Sequence, residues 1–206
     1  MEKEEMSSDK SKRLVWLDGL KGFLMILVIW SHSLAFNSTY GFYFTTGYMA
    51  VFYWISGYLF KNKGQSFKAF LMNKSKRLLI PYLLYGIVLT LFGTVYMILR
   101  GSSLNVIICR WVGLLYGRYM LYPDNFLNNI FFLKPFDSTL WFLLSLFLTY
   151  TLFFLLIKIK KVTIAIVMLV VIGYLFTYLP ILLPWSLDTI PVTTVFMVGG
   201  GISSES

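Results

Sequence analysis

Five long, mainly apolar stretches constrain the fold of this chain more than any other feature. They cover Leu14–Phe36, Phe42–Phe60, Leu78–Leu99, Thr139–Ile157 and Val162–Leu183. Each has 19 to 23 residues, and a helix needs about 20 to cross the hydrocarbon core of a bilayer. A sixth stretch, from Ile190 to Ile202, is too short to span it fully. The pattern predicts an all-α integral membrane protein with five transmembrane helices and a partial sixth.

The composition excludes a soluble globular protein. Hydrophobic residues make up 58% of the 206 residues, and charged residues make up only 13%. Soluble domains carry about 25% charged residues, so this chain lacks the polar groups to cover its own surface. The lipid bilayer is therefore its predicted environment.

The connections between the stretches support this count. Residues 1–13 are polar and predict a short cytoplasmic tail. Pro81 is predicted to lie in the first turn of its helix, where a missing N–H costs little. Arg100–Ser138 is the only long connection, and within it Val106–Leu121 is apolar but contains two arginines. That mixture is typical of an interfacial or re-entrant helix, although a short extra span stays open.

The positive charges predict the orientation in the membrane. With the N-terminus in the cytoplasm, 13 of the 18 lysines and arginines fall on the cytoplasmic side, 4 fall outside, and Lys21 lies within the first span. Such a bias is the usual signal of topology, and it predicts an N-terminus in the cytoplasm. We expect the membrane to be the cell's inner membrane. The net charge of +9 then reflects topology and anionic lipid headgroups, and predicts no nucleic-acid partner.

The first stretch carries three ionisable residues close to one helix face. Lys21 and His32 are eleven residues apart, which at about 100° per residue brings the direction back to within about 20°. Asp18 lies about 40° from that line. An ionisable residue inside a membrane is costly and is by default functional. Two simpler interpretations stay open: an Asp18–Lys21 ion pair that eases insertion, and a His32 hydrogen bond to a neighbouring helix.

His32, the chain's one histidine, is suited to act as a general base, because its unperturbed pKa lies near neutrality. No serine elbow, zinc-ligand cluster or phosphate-binding glycine loop accompanies it. The glycines at 199–201 are not followed by the lysine of a phosphate-binding loop. A base and cations without a protein nucleophile favour direct transfer of a group onto a hydroxyl.

Four motifs, in order, resemble those of acyltransferase family 3, whose members are integral membrane O-acyltransferases. They are WLDGLKG at Trp16–Gly22 with His32 eleven residues after Lys21, FYWISGYL at Phe52–Leu59, KRLLIPY at Lys76–Tyr82, and LWFL at Leu140–Leu143. The resemblance covers most of the chain.

This resemblance implies transfer of an acyl group, usually acetyl from acetyl-CoA, onto a hydroxyl of a sugar or cell-surface glycan. Acyl-CoA would be a co-substrate, with no permanently bound cofactor and no metal. His32 is expected to be the catalytic base, and Lys21 and Arg77 to bind the donor. Three further residues are expected along the substrate path or as structural support: Asp18, Ser56 and Trp141. The basic run, formed by Lys74, Lys76 and Arg77, is also explained by the usual excess of positive charge on the cytoplasmic side of a membrane protein.

Family members usually have more spans than this chain. Residues 14–202 are therefore expected to form an incomplete acyltransferase family 3 domain, the N-terminal part of a larger enzyme, followed by a tail at 203–206. Two alternatives remain. The first is a transporter or flippase for a glycan or other anionic substrate, in which the same ionisable residues would couple proton movement to transport. The second is an inactive truncated remnant.

Overall fold

The computed structural model describes residues 15–33, 39–61, 64–117, 140–159, 161–179 and 183–203. These residues form α helices and one short 3₁₀ helix, and none of them forms a strand. The helices are α1 (Val15–Ser33), α2 (Thr39–Tyr58), α3 (Phe67–Leu99), α4 (Leu104–Tyr116), α5 (Trp141–Leu156), α6 (Val162–Phe176) and α7 (Ile190–Ser203), with the 3₁₀ helix at Pro184–Ser186. The all-α prediction is confirmed for this part of the chain. Of the predicted tails at 1–13 and 203–206, residues 1–13 and 204–206 lie outside it, and Ser203 is the last residue of α7.

Helix α3 begins earlier than the hydropathy predicted. Ser66 caps it, since its Oγ accepts a hydrogen bond from the Ala69 N–H at 3.3 Å, and the helix then runs unbroken for 33 residues, about 50 Å. The basic run through Arg77 is therefore helical rather than a loop. The predicted place of Pro81 in the first turn is wrong, because Pro81 lies inside the helix and cannot donate to the Arg77 carbonyl four residues before it.

Membrane-spanning length is established for one helix only. Among the described helices, α3 is both long and apolar enough to cross a bilayer. Helices α5 and α6 have 16 and 15 residues, or about 24 and 22 Å, against a hydrocarbon core of about 30 Å. Both are shorter than the stretches from which they were predicted. Five transmembrane helices therefore stay a prediction.

The helix predicted in the long connection is present as α4. It ends at Gly117, whose φ of +72° is left-handed and whose N–H donates to the Gly113 carbonyl at 2.9 Å. A Cβ at Gly117 would also overlap the Leu144 side chain. Trp111 Nε1 donates to Thr94 Oγ1 of α3 at 3.2 Å, so α4 packs beside α3. Its interfacial location stays a prediction, and residues 118–121 of the predicted segment lie outside the described part.

The most extensive helix contact joins α2 to α7. A Cβ at Gly57 would overlap the carbonyl oxygen of Met197, and a Cβ at Gly200 would overlap that of Trp54. Glycine at both positions lets the two backbones touch, as small residues do between membrane helices. The glycine run at 199–201 thus packs against α2, within α7.

A strained turn leads into α7. Trp185 and Ser186 have φ of +54° and +58°, values that cost about 1–3 kcal/mol for residues other than glycine. Trp185 Nε1 donates to the Leu115 carbonyl at 2.9 Å. Packing against the end of α4 therefore stabilises this turn.

Candidate functional site

Helix α1 packs against α2 along one face. Leu17 and Leu24 are buried against Tyr48 and Ile55 of α2, and the Trp16 ring meets the Tyr58 ring edge-on at 5.9 Å. Leu17 and Leu24 are seven residues apart, the two-turn spacing of one helix face. This contact places the start of the first motif beside the end of the second.

Asp18 and Lys21 form an ion pair. Lys21 Nζ lies 3.9 Å from Asp18 Oδ1, and both side chains are 39% exposed. At this distance and exposure the pair contributes little to stability. The predicted i,i+3 contact is present, and both side chains stay partly accessible.

His32 lies in the last turn of α1, whose backbone is helical through Ser33; its side chain lies outside the described part. Because the helix is continuous from Val15 to Ser33, the eleven-residue spacing of Lys21 and His32 is a true helical spacing. They are about 16 Å apart along the axis. Lys21 lies about 9 Å along the helix from Val15, whereas His32 lies in the last turn.

A laterally open groove of about 510 Å³ lies between α1 and α2. Its lining is almost entirely apolar, and consists of Leu20, Phe23, Leu24, Leu27, Gly47, Tyr48 and Val51. Such a lining accommodates hydrocarbon and offers nothing to hold a phosphate. The groove is therefore suited to an apolar chain rather than to an anionic group.

Ser56 belongs to a junction of three helices. The Tyr150 hydroxyl of α5 donates to the Ser56 carbonyl of α2 at 3.4 Å. Lys74 of α3 places its Nζ 3.2 Å from the centroid of the Tyr150 ring. Tyr150 therefore links Ser56 of the second motif to the basic run of α3.

An aromatic cluster supports this junction, with two lysines at its edge. The Phe60 ring meets the Phe153 ring edge-on at 5.0 Å, and the rings of Phe70 and Phe154 stack at 4.4 Å. Lys158 Nζ lies 4.4 Å from the centroid of the Phe154 ring. Cations over aromatic faces are stabilised by about 0.5–2 kcal/mol. The cluster thus holds positive charge against an apolar surface.

The same end of the bundle is strongly basic. Segments 61–77 and 157–161 contain nine lysines and arginines and no aspartate or glutamate. Lys76 and Arg77 are exposed, and within the described residues the Arg77 side chain makes no hydrogen bond or ion pair. This end of the bundle is suited to attract a polyanion.

Trp141 is the first residue of α5 and is half-buried. Its ring meets that of Phe142 at 6.4 Å. Phe142 in turn contacts Phe52 and Tyr53 of α2, with ring centroids 5.7 and 5.4 Å apart. Through Phe142, the LWFL motif packs directly on the FYWISGYL motif.

Buried hydroxyls connect α2, α5 and α7. Tyr53 donates to Ser145 Oγ at 2.8 Å, and Ser145 Oγ lies 3.3 Å from Thr189 Oγ1. One turn further along, Thr149 Oγ1 and Thr193 Oγ1 are 2.8 Å apart. The sequence analysis missed this hydroxyl ladder. The signal was available, because Ser145 and Thr149, like Thr189 and Thr193, are four residues apart and share a helix face.

The structure brings together one predicted pair, and it links the backbone of a further predicted residue to the basic run. Asp18 meets Lys21, and Ser56 meets the basic run through Tyr150 and Lys74. Tyr150 was missed, since nothing in its sequence surroundings marks it. Only helix packing shows its role.

The sequence model of one family, described as an acyltransferase domain, matches residues 14–204. This range includes every helix described above. No curated protein matches the chain, and no solved structure matches it.

Proposed function

The chain belongs to acyltransferase family 3, and we propose that it is a membrane O-acyltransferase that moves an acyl group onto a hydroxyl of a sugar or cell-surface glycan. The donor in this proposal is an acyl-CoA, with acetyl-CoA as the first choice. The observation that carries it is the family match across residues 14–204. An acyltransferase requires both a donor and an acceptor, and the basic end of the bundle is suited to an anionic donor such as CoA.

We place the protein in the inner membrane with its N-terminus in the cytoplasm. Helix α3, long and apolar enough to span, supports a membrane location. The lysine-rich segments that flank α3 and α5 support the orientation, because positive loops stay on the cytoplasmic side. The basic end would then face the compartment in which CoA is made available.

In the proposed reaction His32 is the general base. It takes the proton from the acceptor hydroxyl, and the oxygen attacks the thioester carbonyl of the donor. A C–O bond forms, the C–S bond breaks, and the CoA thiolate leaves with the proton returned from His32. The absence of a protein nucleophile motif favours this direct transfer over an acyl-enzyme route.

The donor's phosphates would be bound by Lys21 and Arg77. Arg77 is exposed and carries no carboxylate partner in the described residues. Lys21 is held loosely by Asp18 at 3.9 Å, so a phosphate can compete for it. Ser56 and Trp141 would support the path between donor and acceptor, since their motifs pack on each other.

The proposal is tested by substituting His32. Membranes that contain the His32→Ala variant should transfer labelled acetyl from acetyl-CoA to glycan about 10²–10⁴-fold more slowly, the usual contribution of a general base. Ser31→Ala, next to it on the same helix turn, is the matched control and should retain transfer. Unimpaired transfer by an inserted His32→Ala protein would falsify the mechanism.

The same assay separates the proposal from a transporter or flippase. A carrier moves its substrate without a covalent change, so it would leave no labelled glycan at any donor concentration. Labelled product that depends on His32 supports the transferase.

A further inference from the structure

Lys74 has an unusual location among the cations of the basic end. It lies seven residues inside α3 from Phe67, about 10 Å along the helix. It is half-buried, whereas Lys76 and Arg77 beside it are exposed. Within the described residues its ammonium makes no ion pair, and its close neighbours are aromatic rings.

Those rings hold the ammonium in one position. Nζ lies 3.2 Å from the centroid of Tyr150 and 5.8 Å from that of Phe70. Tyr150 is itself fixed, because its hydroxyl donates to the Ser56 carbonyl at 3.4 Å and its ring packs near Phe60, with centroids 6.5 Å apart. A lysine normally snorkels freely toward water; this one is held against an aromatic face.

The aromatic contact does not neutralise the charge. An ammonium has three N–H donors, and a single ring face covers only one side of it. A partly desolvated cation is stable when an anion supplies the opposite charge and the hydrogen-bond acceptors that water no longer provides. Segments 61–77 and 157–161 contain no carboxylate, so a bound anionic ligand would supply the charge that these segments lack. Phosphate oxygens form short, charge-assisted hydrogen bonds with lysine.

We propose that Lys74 binds a phosphate group at the junction of α2, α3 and α5, and that Tyr150 is the residue that positions it. The proposal deepens the function proposed above, on which it rests only for the source of the phosphate. Two sources share this chemistry: the phosphates of the acyl-CoA donor and the headgroup of an anionic phospholipid. In both cases Lys74 is the least exposed of the described cations of segments 61–77 and 157–161 that the phosphate meets.

The first arm of the test measures binding of the nucleotide part of the donor. The full chain is placed in nanodiscs of phosphatidylcholine, and adenosine 3′,5′-bisphosphate is titrated. Lys74→Gln should weaken binding by about tenfold or more, the loss expected for a charge-assisted hydrogen bond. Lys76→Gln removes the same charge two residues away and should weaken it by less than about threefold.

Variants of Tyr150 test its positioning role. Tyr150→Phe keeps the ring and should bind nearly as well as the parent, whereas Tyr150→Leu removes the ring and should bind as weakly as Lys74→Gln. Lys74→Arg keeps the charge over the ring and should restore binding. In the transfer assay, Tyr150→Leu should raise KM for the donor with little change in kcat. A purely structural role would instead lower the amount of folded protein and leave KM unchanged.

The second arm replaces part of the phosphatidylcholine with phosphatidylglycerol and measures lipid retained by the purified protein. Loss of retention on Lys74→Gln, with nucleotide binding unchanged, assigns the phosphate to a lipid headgroup. Loss of nucleotide binding assigns it to the donor. If Lys74→Gln matches Lys76→Gln in both arms while the circular dichroism of the two proteins agrees, the proposal is overturned.

If Lys74→Gln does not fold, Tyr150→Leu serves as the second variant for both arms. Neither arm requires acyl transfer. A negative result for His32 would therefore not contradict the anion site, and a negative result for the anion site would not contradict the role of His32.

Discussion

The contact of α2 with α5 and α7 differs sharply from the contact of α1 with the rest of the described structure. Helices α2 and α7 meet backbone to backbone, and Ser145, Met197 and Thr194 between these helices are completely buried. Among the α1 side chains that the structure describes, at residues 16–30, only Leu17 and Leu24 are buried, while Phe23, Ile26 and Ile29 are each more than half exposed. The contact of α2 with α5 and α7 therefore has a buried centre, whereas α1 packs on α2 by one face.

This difference indicates which region stabilises the fold and which region takes part in the proposed acyl transfer. The tightly packed region contains the close glycines and the hydroxyl ladder, which make the bundle a fixed frame. Helix α1 contains the ionisable stripe of Asp18, Lys21 and His32, and its exposed apolar face is compatible with lipid or further protein. We therefore expect substitutions in the frame to act on folding, and substitutions on the stripe to act on transfer.

The largest expected effect on stability comes from filling a close glycine contact. Gly57→Leu forces α2 away from the Met197 backbone, where no side-chain rearrangement makes room, and should destabilise the protein by at least about 1–3 kcal/mol. Gly22→Leu is the matched control in α1, because a Cβ there meets nothing within 4 Å. Thermal unfolding in detergent measures both. Equal losses would show that α1 is packed as tightly as α7.

A smaller effect is expected within the hydroxyl ladder. Thr149→Val leaves the buried Thr193 hydroxyl without its partner across the helix contact and should cost about 0.5–1.5 kcal/mol. The Thr149→Val/Thr193→Val double variant should cost less than the sum of the single variants. Thr151→Val is the control, since its hydroxyl bonds only to the Phe147 carbonyl of its own helix. Additive losses in the double variant would rule out coupling across the contact.

The smallest effect is expected at the ion pair of α1. Asp18→Asn removes a half-exposed i,i+3 pair and should change stability by less than about 0.5 kcal/mol. The change should vanish at about 1 M salt, because exposed charges are then screened. Unfolding at low and high salt measures it. A loss of stability as large as that of Thr149→Val would contradict this prediction and show that Asp18 contributes to the stability of the fold.

Helix positions were predictable from sequence, whereas the start of α3 and the end of α6 were not. Hydropathy located α1, α2, α5 and α7 to within about three residues at each end, because apolar runs of this kind favour continuous helix. It placed the end of α6 seven residues too late. Hydropathy placed the start of α3 eleven residues too late, because a lysine-rich helical segment has the low hydropathy of a loop. The Ser66 cap marks the true start.

The candidate site was predictable only in part. The stripe on α1 follows from helical arithmetic, so the spacing of Asp18, Lys21 and His32 needed no structure. The contact of Lys74 with the Tyr150 ring could not be predicted from sequence, because the two residues are 76 apart in sequence and on different helices. Local periodicity carries no information about which faces of two helices meet.

The sequence by itself determined that this chain is helical, apolar, charge-asymmetric and a member of acyltransferase family 3. The physical reason is that a backbone in hydrocarbon must satisfy its own hydrogen bonds, which makes apolar runs helices. Only the tertiary structure decided which residues meet: Gly57 with Met197, Ser145 with Tyr53, and Lys74 with Tyr150. Those contacts depend on close packing between helices, where the fit of individual side chains selects one arrangement.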